Sequence, residues 1–81
     1  MTNPITRVRE DRGLGRRAFA LALGVSYNAV HSHEQGLPAR VQPAILEGLK
    51  RLGINTEHVA RDYVIWREQR RQEVLRDVVG V

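Results

Sequence analysis

The sequence predicts an all-α protein, with a compact domain of four short helices followed by one long C-terminal helix. Three observations carry this. Apolar side chains recur at three- and four-residue spacing along most of the chain, and no stretch alternates apolar and polar residues long enough for a strand. Glycines at 13, 24 and 53 fall where the periodic segments stop, at positions where a helix end favours positive φ. Residues able to cap a helix, Asn3, Ser26 and Asn55, stand where new segments begin.

Taken in order, the first helix is expected from Asn3 or Pro4 to Arg12, with Ile5 and Val8 on one face and Gly13 as its stop. The second runs from Gly15 or Arg16 to Leu23, turning Phe19, Ala20 and Leu23 inward. Gly24 stops it, Val25 fills the turn, and Ser26 caps a third helix that reaches His33 or Glu34. Gly36 and Pro38 punctuate the loop that follows. The fourth helix spans Gln42–Leu52, with Pro43 in its first turn and Ile45, Leu49 and Leu52 inward. Asn55 or Thr56 caps the last helix, which continues to about Val78 and would be roughly 33 Å long. That exceeds one face of so small a domain, so the chain divides into residues 1–54 and 55–81.

Eighty-one residues form a single small unit, which buries only about 60% of its unfolded surface and gains from a partner subunit. There is no cysteine, so neither disulfides nor thiolate metal sites are available. The lack of a long apolar run and of an apolar leader predicts a cytoplasmic protein that does not enter a membrane. The net charge is +4, and twelve of the thirteen basic residues are arginine. Most of the excess lies before residue 59. Arginine suits bidentate contact with phosphate and guanine, although a GC-rich coding sequence produces the same bias.

The informative stretch is Arg16 to Glu34. Two helices joined by a sharp turn need a small residue where they cross, which Ala20 supplies, and a residue tolerant of positive φ, which Gly24 supplies. Phe19, Leu23, Val25 and Val30 are placed to close the angle. This arrangement presents the start of the second helix of the pair outward, as a major-groove reader requires.

With these residues the chain closely resembles the lambda-repressor-like, Cro-type (XRE) helix-turn-helix family. The likeness rests on Ile5 to Arg9, Arg12 to Leu14, Phe19-Ala20, Leu23 to Ser26, Ala29-Val30, Glu34 to Gly36 and Gly53-Ile54, and covers about residues 4–54. The resemblance implies a helical bundle whose third helix lies in the major groove of double-stranded DNA. It places Ser26, Tyr27, Asn28 and Ser32 at base-contacting positions, and His31 is expected beside them, near the DNA. Asn28 is chemically the best suited, because an amide can bond adenine N6 and N7 together. Arg16 matches a phosphate-contacting position, Arg17 stands beside it, and Arg40 lies in a loop that often meets the backbone. Arg9 and Glu34 match a structural ion pair. The family usually carries threonine or serine with glutamine where this chain has Gly15-Arg16, and an apolar residue where it has His33. The last 25 residues have no matching counterpart.

Arg16 and Arg17 sit at the positive end of a helix dipole, where cations are unfavourable by about 0.3–1 kcal/mol each; phosphate neutralisation would account for them, and otherwise they are solvated charges at a slightly frayed helix end. His31 and His33, two residues apart on a helix, point about 200° apart and cannot share a metal ion. No metal or cofactor is expected, and His33 is expected partly buried with one ring nitrogen bonded. No nucleophile with a base, phosphate loop or carboxylate pair argues for an enzyme, and no small-molecule ligand is expected.

The last helix carries two apolar blocks. Val59, Tyr63 and Trp66 pack back on the domain, and Val74, Leu75, Val78 and Val79 follow a polar stretch, residues 67–73. The expectation is a homodimer in which the second block meets its own copy, or Trp66 and Tyr63, of another subunit; alternatively the end frays, or Arg67, Arg70 and Arg71 reach phosphates. The function expected is a sequence-specific DNA-binding transcriptional regulator, a phage or mobile-element Cro-like repressor of a bacterial cell, with no room for a sensing domain. The alternatives are a protein-interaction module, such as an antitoxin or anti-repressor, and an architectural or recombination-accessory DNA binder.

Overall fold

The computed structural model describes residues 1–80. Five helices follow one another: α1 (Pro4–Asp11), α2 (Arg16–Leu23), α3 (Tyr27–Glu34), α4 (Pro43–Arg51) and α5 (Thr56–Val79), with no strand among the described residues. The all-α class and the long last helix are therefore as the sequence predicts. Asn3 caps α1 by accepting the Ile5 N–H, Ser26 caps α3 by accepting that of Ala29, and Asn55 caps α5 by accepting that of His58.

The first four helices end alike. At Gly24, φ is +73°, Gly24 N–H donates to Leu21 and Val25 N–H donates to Ala20 at 3.0 Å, so the last carbonyls of α2 are satisfied within the turn. The same pair of bonds closes α1 at Gly13, α3 at Gly36 and α4 at Gly53. Only three residues, Gly24 to Ser26, then separate α2 from α3.

One core joins all five helices. It contains Ile5 of α1, Phe19, Ala20 and Leu23 of α2, Val30 of α3, Val41 before α4, Ile45 and Leu49 of α4, and Val59 and Tyr63 of α5. Leu52 is only half-buried at its edge, where the sequence suggested an inward position. The first turns of α5 thus belong to the same core as residues 1–54, while residues 68–80 are all exposed. Twenty-four residues make α5 about 36 Å long, and it sets the long dimension of a molecule measuring 43 × 23 × 21 Å.

Gly48 governs how α4 meets α2. A Cβ built there would stand 2.5 Å from the Leu23 carbonyl oxygen, so only glycine permits this crossing. Arg51, one turn on, donates from Nη2 to that same Leu23 carbonyl at 3.2 Å and seals the end of α2.

Candidate nucleic-acid interface

The outward face of α3 is built from the residues that its N-cap and its buried Val30 leave pointing away from the core. Ser26, Tyr27, Asn28 and His31 are exposed and Ser32 is half-buried. Tyr27 and His31, one turn apart, stack nearly parallel, with centroids 6.0 Å apart and 8° between their planes. Arg17 of α2 places its guanidinium carbon 5.6 Å from the Tyr27 centroid. A cation over a ring at this range is attracted by the ring's negative face. Arg17, Tyr27 and His31 therefore form one ordered column across the α2–α3 corner, with Asn28 and Ser32 beside it one helical turn apart.

Behind this face lies a charged cluster. The Glu34 carboxylate, all but inaccessible, accepts hydrogen bonds from the Thr6 hydroxyl at 2.8 Å and from Arg9 Nη2 at 3.0 Å. The hydrogen bond it donates to Glu34 holds the Arg9 guanidinium above its ordinary pKa, against the desolvation that opposes it. Arg16 joins as a second cation, its Nε 3.4 Å from Glu34 Oε2. This is an internal reason for a cation at the start of α2, beyond the phosphate contact expected of it. With 41% of its side chain still exposed, Arg16 is not consumed by that contact. Asn3 completes the junction, its Nδ2 donating to the carbonyls of His33 and Glu34.

His33 departs from expectation. It is wholly buried, and both ring nitrogens are bonded rather than one. Nε2 accepts the Gln42 backbone N–H at 3.1 Å, so the proton sits on Nδ1, which donates to the Ala29 carbonyl at 2.7 Å. A neutral imidazole in this tautomer ties the end of α3 to the start of α4, in place of an apolar side chain. His31 lies on the exposed face. No group of three or more His, Cys, Asp or Glu side chains that could hold a metal ion occurs among the described residues. None of the helices is long and apolar enough to cross a membrane.

The loop between α3 and α4 carries Arg40, which is exposed. This loop is braced from behind by α5. The Tyr63 hydroxyl donates to the Pro38 carbonyl at 2.7 Å, Arg67 Nε donates to the Gly36 carbonyl at 2.8 Å, and the Trp66 ring abuts Gly36. Tyr63 is completely buried, so it has no surface to offer a second subunit and belongs to the core, not to the interface that the sequence suggests. Trp66 is half-buried and tilts against Tyr63. Arg67 is committed to the loop, and Arg70 and Arg71 pair within α5 with Glu73 and Glu68. Val74, Leu75 and Val78 lie exposed on its free half. Sequence reasoning gives Asn3 its capping role but misses its bonds to the end of α3, and it misses Thr6 and the second cation on Glu34. A polar residue two positions before a helical Ile5, and a threonine one turn before Arg9, are the available signals. Compared with protein-family models, curated proteins and solved structures, the chain matches none.

Proposed function

We propose that the chain is a sequence-specific DNA-binding transcriptional regulator, a Cro-like repressor that reads the major groove with α3 of a lambda-repressor-like helix-turn-helix and works as a homodimer. The observation that carries this reading is the ordered, exposed face of α3. Its amide, imidazole and hydroxyl groups stand beside arginines while its opposite side is locked into the core. An α-helix with its side chains is about 10–12 Å across and enters a groove about 12 Å wide. Asn28 reads a base edge, Tyr27 and His31 present a flat ring pair, and Ser26 and Ser32 offer hydroxyls at the two ends of the helix. Ser26 already gives one lone pair to the Ala29 N–H, which leaves its hydroxyl proton and its second lone pair for DNA.

The phosphate contacts fall to Arg17, to Arg40 on its braced loop, and to the exposed part of Arg16. The start of α2 adds a further reason. Gly15 provides no side-chain cap, so the first N–H groups of α2 lack a side-chain acceptor, and a phosphate oxygen would serve as one. Two arginines next to an uncapped helix start are poor design for an isolated protein and sound design for one that meets an anion there.

Selection of random duplex DNA by the purified protein at about 0.15 M salt tests this reading. Enrichment of a near-palindrome with half-sites one helical turn apart supports it. Weak, salt-sensitive binding without enrichment removes it.

A further inference from the structure

Beyond the core, α5 bears a stripe that nothing in the described chain covers. Val64, Glu68, Arg71, Leu75 and Val78 follow one another at spacings of four, three, four and three residues. That is the repeat that keeps one seam of a helix facing a partner helix. The apolar members are open, with Val64 45%, Leu75 40% and Val78 76% exposed. The charged pair in the middle is Arg71 Nη1 on Glu68 Oε1 at 3.3 Å, both side chains more than half exposed.

We infer that this stripe is the seam of an antiparallel helix pair between two copies of the chain, with Val64 of each copy facing Leu75 of the other and Glu68 facing Arg71. The charge order selects this arrangement. In a parallel pair in register, Glu68 would face Glu68 and Arg71 would face Arg71, two like-charge contacts. Reversing one helix about the midpoint between 69 and 70 turns both into opposite-charge contacts. The same operation sets the apolar block at Val64 on the one at Leu75. It also lays Val78 over the stem of Arg61, which continues the stripe one step towards the N-terminus and is itself more than half exposed. The seam is thus self-complementary, as a two-fold interface must be. It differs from pairing through Tyr63 and Trp66, which the core and the loop already occupy.

The register fixes how far apart the two domains stand. Residues Val59, which enter each core, would lie about 31 Å apart along the helix axis, and residues Tyr63 about 20 Å. With the width of the domains added, this accommodates half-sites about 34 Å apart. The spacing, though not the pairing, rests on the DNA-binding reading above.

The chain has no cysteine, so single cysteines report cleanly. Val64→Cys and Leu75→Cys change exposed positions, and circular dichroism should show their helix content unaltered. Wild-type protein at about 100 µM should sediment at twice the 9.2 kDa chain mass. Mild oxidation of the two variants mixed should give a Val64→Cys to Leu75→Cys disulfide in high yield. Each variant oxidised alone should stay uncrosslinked, because like positions lie about 16 Å apart. Glu68→Arg and Arg71→Glu should each weaken the dimer at least tenfold, and the doubly exchanged chain should recover it. Efficient crosslinking of Val64→Cys to itself overturns the antiparallel seam, and a wild-type chain that stays monomeric overturns the second copy as its occupant. Neither result touches DNA reading, which the random-duplex selection judges separately.

Discussion

The Arg9 guanidinium meets the Glu34 carboxylate through Nε and Nη2 and leaves Nη1 to donate to the Leu14 carbonyl at 3.0 Å. One side chain of α1 therefore fixes both the end of α3 and the turn into α2. Glu34 is almost entirely shielded from water, so its charge depends on these partners. Arg9→Ala should cost about 1.5–3 kcal/mol, the loss of bonds to a charged group, because Glu34 keeps Thr6 and Arg16 as partners. Arg9→Lys should recover only part of this, because an ammonium cannot span both carboxylate oxygens and Leu14 at once. Urea unfolding of the two variants checks this, and a loss below about 1 kcal/mol for Arg9→Ala would mean that the pair is incidental.

Gly48→Ala should destabilise the fold although alanine favours helix. The added methyl would lie 2.5 Å from the Leu23 carbonyl oxygen and 2.9 Å from its Cα, both backbone atoms held by the α2–α3 turn. Moving α4 away strains the core and pulls Arg51 from its bond to Leu23, at a cost of about 1–3 kcal/mol. A thermal midpoint equal to or above that of the wild type would show that the helices separate without penalty.

Tyr63 gives the fold an alkaline limit. Burial pushes its phenol above the ordinary tyrosine value, with the nearby Arg67 charge opposing this. A folded-state pKa above the unfolded one means that the native state holds the proton longer. Stability from this group is then complete below about pH 10 and falls as the pH rises from there through the folded value. Tyr63→Phe removes this titration and also the bond to the Pro38 carbonyl. The variant should be less stable at pH 7 and should show a shallower decline above about pH 10. Parallel declines in the two proteins would contradict the buried-phenol account.

Helix limits were legible because their causes are local. Asn3, Ser26 and Asn55 act within three residues of themselves, and each helix-ending glycine acts within its own turn. What the sequence could not show depends on how helices cross. Arg16 and Thr6 reach Glu34 only because α1 and α2 converge on the end of α3. The sequence suggests only partial burial for His33, since nothing local reveals that Gln42 returns to supply an N–H to its second nitrogen. For Tyr63 the sequence allows both a core and an interface role. Periodicity marks an inward face, but it does not say whether that face meets its own domain or another chain.

The arginines around α3 should separate by function under substitution. Arg40 is exposed on its loop, so Arg40→Ala should leave stability unchanged, weaken binding to all DNA sequences alike and lower the salt dependence by about one charge. Asn28→Ala should instead cost about 1–3 kcal/mol at one base pair and leave non-specific affinity as it was. Arg16→Ala should do two things at once, since its guanidinium serves both Glu34 inside and solvent outside. Unfolding and salt-titrated DNA binding, measured on the same preparation, should both decline. Arg17→Ala should lower the salt slope and also free the Tyr27 ring it covers, broadening the preference at the base step Tyr27 meets. If Arg17→Ala and Arg40→Ala both leave affinity and salt slope unchanged, neither side chain meets phosphate, and α3 does not enter a groove in the proposed orientation.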